Sequence, residues 1–88
     1  MERIPFTQYL LPDGRTRPTA FDAPDDVAAR ARAIIAAGHR FECEVLTTGE
    51  VSLTIHDVEN GEDLAIEVVP NGPEVPEAVV RLVESFDA

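Results

Sequence analysis

From residue 41 to 68 the chain reads FECEVLTTGEVSLTIHDVENGEDLAIEV, with apolar and polar residues alternating almost without fault. A period of two marks strands with one buried face, and two turn signals divide the run into three of them. If Thr47-Thr48-Gly49 is a three-residue loop with its glycine left-handed, Val45 pairs with Val51, Cys43 with Leu53 and Phe41 with Ile55. If Asn60-Gly61 is a two-residue type I′ turn, Ile55 pairs with Ile66 and Leu53 with Val68. Both registers put the same faces together. Residues 41–69 are therefore expected to form a three-stranded antiparallel meander with Phe41, Val45, Leu53, Ile55, Ile66 and Val68 facing inward.

A period near 3.6 appears on either side of this run. In FDAPDDVAARARAIIAAGHRF, Val27, Ala31, Ile34, Ile35 and Gly38 make one apolar stripe, which predicts a helix over 22–38. Asp22 is its expected N-cap, Pro24 lies in the first turn, Asp25 and Asp26 meet the positive end of the dipole, and Gly38 closes the far end. A second stripe of Val75, Val79, Leu82, Val83 and Phe86 predicts a helix over 75–86 that begins near Pro76. The N-terminal segment FTQYLLPDGRTRPTAF reads as a hairpin within residues 1–21. A loop of Pro12, Asp13 and Gly14 flanked by Leu11 and Arg15 would set Tyr9 opposite Arg17, close enough to stack, and Pro18 marks the second strand as an edge.

The expected fold is a single α+β domain over residues 1–88, in β-β-α-β-β-β-α order. It has two layers, an antiparallel sheet with both helices packed on one face. A chain of 88 residues supports one modest core, burying somewhat over ~60% of the surface exposed when unfolded. Parity then assigns the opposite face: Glu42, Glu44 and Leu46 on the first meander strand, Glu50, Ser52, Thr54, His56 and Val58 on the second, Asp63, Ala65, Glu67 and Val69 on the third. In that register Glu42, Thr54 and Glu67 form a row across the sheet, while Glu59 lies opposite Glu62 beside the turn.

Charge gives this face its interest. The net charge is −10, and it is unevenly placed: residues 1–40 hold six arginines against five acids, whereas residues 41–88 hold Arg81 alone against twelve acids. A face that is merely solvated usually mixes both signs, but residues 41–80 contain no Lys or Arg. Such a field attracts basic protein surfaces and repels nucleic acid. An apolar content of 44% is ordinary for a folded domain. No apolar run is long enough to span a membrane, and the first residues lack the layout of a signal peptide, so a cytoplasmic protein is expected. Cys43, the only cysteine, has no partner for an internal disulfide.

Motifs for chemistry are missing. Cys43 points inward and His56 outward, and His39 follows a helix end, so these three do not converge on a metal. No nucleophile elbow and no phosphate-cradling glycine loop is present. Glu42 and Glu67 on an open face would have nothing to separate their pKa values for acid and base roles. Neither an enzyme nor a cofactor is expected. A ligand pocket would need Tyr9, Arg17 and Arg40 to converge between the sheet and the first hairpin.

The helix-strand-strand-strand-helix order of residues 24–86 resembles that of double-stranded RNA-binding domains. Those domains grip phosphate with basic residues at the start of the last helix, where this chain has Glu74 and Glu77, so their mode of RNA binding is disfavoured. The segments PFTQYLLPDGR, GEVSLTI and AIEVVPNGPEVPEAV are similar to those of short acidic proteins of bacterial and prophage genomes. That resemblance implies a phage or mobile-element connection, and small acidic proteins of such origin often occupy a host protein's nucleic-acid-binding surface, as inhibitors of CRISPR and restriction systems do. The expectation is a non-enzymatic module that docks Glu42, Glu44, Glu50, Thr54, Asp63 and Glu67 on the basic surface of a larger protein. The alternative is a structural homo-oligomer, pairing through a sheet edge or through Leu46, Val58 and Val69.

Overall fold

The computed structural model describes residues 2–10 and 13–86. The chain runs β1 (Glu2–Leu10), β2 (Arg15–Ala23), α1 (Asp25–Ala36), β3 (His39–Val45), β4 (Glu50–Asp57), β5 (Glu62–Pro70) and α2 (Val75–Ser85). Both helices cover one face of a five-stranded sheet in the order β2-β1-β3-β4-β5. The element order and the α+β class agree with the sequence reading. The wholly antiparallel sheet does not: β1 runs parallel to β3, with Thr7 beside Glu42 and Leu10 beside Val45. The reason is topological. Helix α1 carries the chain from the end of β2 back across the sheet, so β3 starts at the same end as β1. Strand β1 takes the inner place because it brings Ile4 and Phe6, both fully buried, whereas β2 carries Arg15, Arg17 and Pro18 and stays at the edge. The Phe6 ring meets Phe21 edge-on at 5.0 Å and Phe41 at 5.1 Å, which fastens the hairpin to the core.

The first hairpin closes one residue differently from the expected register. Leu10 pairs with Arg15, so the loop has four residues, and Gly14 takes a φ of 71° and donates its N–H to the Leu10 carbonyl at 3.0 Å. Tyr9 now faces Thr16, and Arg17 faces Gln8, whose Oε1 accepts from Arg17 Nε at 2.8 Å. The expected Tyr9–Arg17 stack is lost because the two side chains leave opposite faces of the sheet. Leu11 and Pro12, which were to shape the turn, lie outside the described residues. Helix α1 begins later than expected, with Pro24 at its cap, because β2 continues to Ala23 and uses Asp22 in an ion pair with Arg3 at 3.5 Å. Its stripe is as read, with Val27, Ala31 and Ile34 buried, and Gly38 follows the helix with a φ of 99°.

The β3–β4 register matches the expectation throughout: Val45 with Val51, Cys43 with Leu53, Phe41 with Ile55. Gly49 has a φ of 89° and closes the Thr47-Thr48-Gly49 loop. The β4–β5 register does not match. Asp57 pairs with Glu62, so Val58-Glu59-Asn60-Gly61 is a four-residue loop rather than an Asn-Gly turn, and Glu59 no longer opposes Glu62. The Asp57 carboxylate builds this loop, accepting from the Glu59 N–H at 3.1 Å, the Asn60 N–H at 3.5 Å and Asn60 Nδ2 at 2.7 Å. Those bonds, the Asn60 side chain's first, hold its carboxyl below the ordinary range, against the opposing effect of burial. A loop of this length shifts the register by two residues, which alone would preserve the faces. A bulge at Leu64 then takes one residue back, and every side chain beyond it changes side. Ile55 therefore pairs with Ala65, and Leu53 with Glu67.

Candidate interaction surface

The register of all five strands fixes which side chains occupy the face away from the helices. From β1 outward to β5, one row runs Tyr9, Glu44, Ser52, Val68 and the next runs Thr7, Glu42, Thr54, Ile66, with Arg40, His56 and Asp63 beyond. Five of the six residues singled out by sequence are here: Glu42, Glu44, Glu50, Thr54 and Asp63. Glu67 is not. It points beneath the helices, where its Oε1 lies 3.6 Å from Arg81 Nε of α2, and Ile66 takes its place in the row. Val69, expected to face outward, is buried at 7% exposure, while Ile66 and Val68, assigned to the core, are 59% and 47% exposed. Leu46 is half-buried in the β3–β4 loop and Val58 is exposed in the β4–β5 loop, so neither joins the face of the sheet.

The acids are also less free than their number suggests. Glu42 Oε2 accepts from Arg40 Nε at 2.6 Å and from the Tyr9 hydroxyl at 3.1 Å, and Arg40 Nη2 reaches the same hydroxyl at 3.5 Å. Burial first, and then the bond to Glu42, raises the Tyr9 pKa above its ordinary value; the Arg40 bond to that same carboxylate raises Arg40's. Asp63 Oδ1 lies 2.9 Å from His56 Nδ1. Arg3 and Arg40 enter this face from outside the arginine-free window, Glu59 and Glu74 lie on turns, Glu77 and Glu84 on α2, and Glu62 at the start of β5 opposite Asp57, so the charge of the second half is not gathered on one side. Thr48 Oγ1 donates to Glu50 Oε1 at 3.2 Å, and Glu44 has no polar partner among the described residues.

One oxygen or nitrogen each from Glu42, His56 and Asp63 falls within 4.8 Å of the others, which brings His56 into a metal-ligand grouping that its isolated place in the sequence gave no sign of. A cation there would compete with the Arg40 guanidinium for the Glu42 carboxylate. On the helix side a crevice of about 290 Å³ opens between the first turn of α2 and the ends of β1 and β3, with Gln8, Arg17, Thr19 and Asn71 around an apolar floor of Cys43 and Val51. Arg17 lines it, but Tyr9 and Arg40 are on the other face, so the expected trio does not converge. Burial pushes the Cys43 thiol up to about 11, which leaves it unreactive.

What the sequence reading missed is the outer margin of β5. Ile66 and Val68 stand next to each other on the open face at 59% and 47% exposure, with Leu64 at the bulge 41% exposed, on a strand with no neighbour beyond it among the described residues. The only available signal was that β5 carries apolar residues at both parities, Leu64, Ile66 and Val68 against Ala65 and Val69, which left its facing to the turn. These features define a two-layer α+β domain with an open mixed sheet and an exposed apolar margin at β5. No family model matches the chain, and neither the curated proteins nor the solved structures contain a match to it. No helix among the described residues is long and apolar enough to cross a membrane.

Proposed function

We propose that this chain is a non-enzymatic protein-interaction module whose contact surface is the β5 margin of the open sheet face. The observation that carries the reading is the exposure of Ile66 and Val68, with Leu64 at the bulge, along an unpaired strand. Exposing three large apolar side chains on one strand opposes solubility, and backbone groups left free beside them are a template for a further strand. A photo-reactive residue replacing Val68, in cells that make the protein, is expected to give discrete protein adducts, whereas the same residue at Ala20 of β2 gives background only. Equal yields from the two positions would remove the reading.

A second reading has its own support in the carboxylate of Glu44, unpaired among the described residues, and in Glu50 and Asp63 on the same face. Together with Glu42 they would dock on a basic, nucleic-acid-binding surface of a larger protein, as a phage-type inhibitor does. Loss of Glu67 to the other face and the pairing of Glu42 with Arg40 weaken that field. Salt separates the two: docking of acids on a basic partner weakens as ionic strength rises, and apolar contact does not.

A further inference from the structure

Resting on the β5 reading, we infer that the occupant of this edge is a second copy of the chain, paired antiparallel to β5 about a two-fold axis at Ile66. The backbone phase comes first. Asn71 donates its N–H to the Gly49 carbonyl at 3.0 Å, so Asn71 turns its backbone toward β4. Antiparallel ladders alternate. Counting down the strand by twos, Val69, Glu67 and Ala65 also bond toward β4, and Pro70, Val68 and Ile66 turn their backbone groups to the free edge. Pro70 fits this phase, because a residue with no N–H sits where no internal bond is needed.

The side chains agree with the backbone. Ile66 and Val68, whose backbone groups face the edge, also carry exposed apolar side chains, so one strand can satisfy both at once. A two-fold pairing keeps the open faces of both copies on the same side only if each residue meets one of equal parity, which restricts the choice of centre. Centred on Ala65, Ile66 would meet Leu64, the residue at which the bulge breaks the ladder. Centred on Glu67, the two Glu67 residues would oppose each other. Centred on Val68, Ile66 would meet Pro70, which cannot donate. Centred on Ile66, Ile66 meets Ile66 and Glu67 meets Ala65, so within the regular ladder no acid faces an acid. Glu67 is further neutralised by Arg81 of its own chain. The bulge at Leu64 ends the regular ladder there. The product is a continuous sheet formed from both copies, with Ile66 and Val68 of each clustered across its centre.

Each copy carries a charge of −10, so the copies repel, and screening must favour the pair. Sedimentation equilibrium of the full chain is expected to show reversible association to twice 9.6 kDa, tightening at least several-fold between low and moderate salt. Ile66→Arg abolishes it, and the circular dichroism of the variant stays native because the position is 59% exposed. Ile66→Cys is expected to give a disulfide-linked dimer under a mild oxidant, because position 66 of each copy faces position 66 of the other, whereas Val68→Cys is expected to give none. A chain that stays monomeric at all salt concentrations, a dimer indifferent to Ile66→Arg, or cross-linking no greater for Ile66→Cys than for Val68→Cys would each overturn the proposal. A monomer whose Val68 photo-adducts contain another protein sinks the second copy and keeps the interaction module; absence of any adduct sinks both.

Discussion

The two edges of this sheet are built on opposite principles. Strand β2 ends the sheet on one side with Pro18 in mid-strand and with Arg15, Arg17 and Asp22 along it, features that discourage a further strand. Strand β5 ends the other side with its proline only at the last position and with Leu64, Ile66 and Val68 between. Yet β2 is the better anchored of the two, since its Phe21 packs on Phe6 and the hairpin it belongs to supplies Ile4 and Phe6 to the core. One edge gives its apolar residues to the inside and guards its outside; the other keeps large apolar residues outside and holds Glu67 beneath a helix. Core packing and exposed apolar surface thus fall on different margins of one sheet.

Substitutions can test that division, beginning with the largest effect. Phe6→Ala removes the ring between Phe21 and Phe41 and is expected to cost about 3–5 kcal/mol in denaturant unfolding, whereas Ile66→Ala should stay within about 0.5 kcal/mol. Equal costs at the two positions would erase the contrast. Exchanging the guards comes next: Val68→Pro removes an outward N–H and should eliminate self-association with the fold retained, and Pro18→Val should give β2 a sticky edge and produce species larger than dimers by light scattering. Asp57→Ala, which dismantles the loop that sets the β5 register, should lower the denaturant midpoint by less than Phe6→Ala and speed amide exchange in residues 62–66. The same loss has a pH form. Because the folded carboxyl is held low, its contribution is complete above the unfolded value of about 3.9 and disappears as pH falls through the lower folded value, so the wild-type midpoint should fall below pH 4 more steeply than that of Asp57→Ala. Smallest of all, Arg81→Ala breaks a half-exposed pair with Glu67 and should cost about 0.2–1 kcal/mol.

How far the sequence predicts this molecule depends on where its turns get their shape. The β3–β4 register was legible because Gly49 leaves one loop length open and the flanking strands alternate cleanly, and with it came the facing of Glu42, Glu44, Glu50 and Thr54. The β4–β5 register was not, for Asn60-Gly61 is a strong local signal that the Asp57 carboxylate overrides from three residues away, and a bulge leaves no mark in the alternation of a strand apolar at both parities. Asp63, before the bulge, kept its predicted side, and Glu67, beyond it, lost it. Pro18 announced an edge correctly, but the parallel pairing of β1 with β3 depends on the path of α1 over the sheet, a tertiary fact with no local signature. Arg40 and Tyr9 restrain Glu42 from segments outside the acidic run, so a charge count by segment overstated the field on that face.

The parallel join between β1 and β3 also imposes an order on biosynthesis. The ribosome releases β1 first, but Thr7 must wait for Glu42 before its inner edge is satisfied, with a hairpin and a helix made in between. The nascent hairpin therefore exposes Phe6 and Ile4 during that interval, while the β3–β4–β5 meander can close on itself within moments of emerging. That hairpin cannot pair with β3 until α1 has been made and β3 follows it.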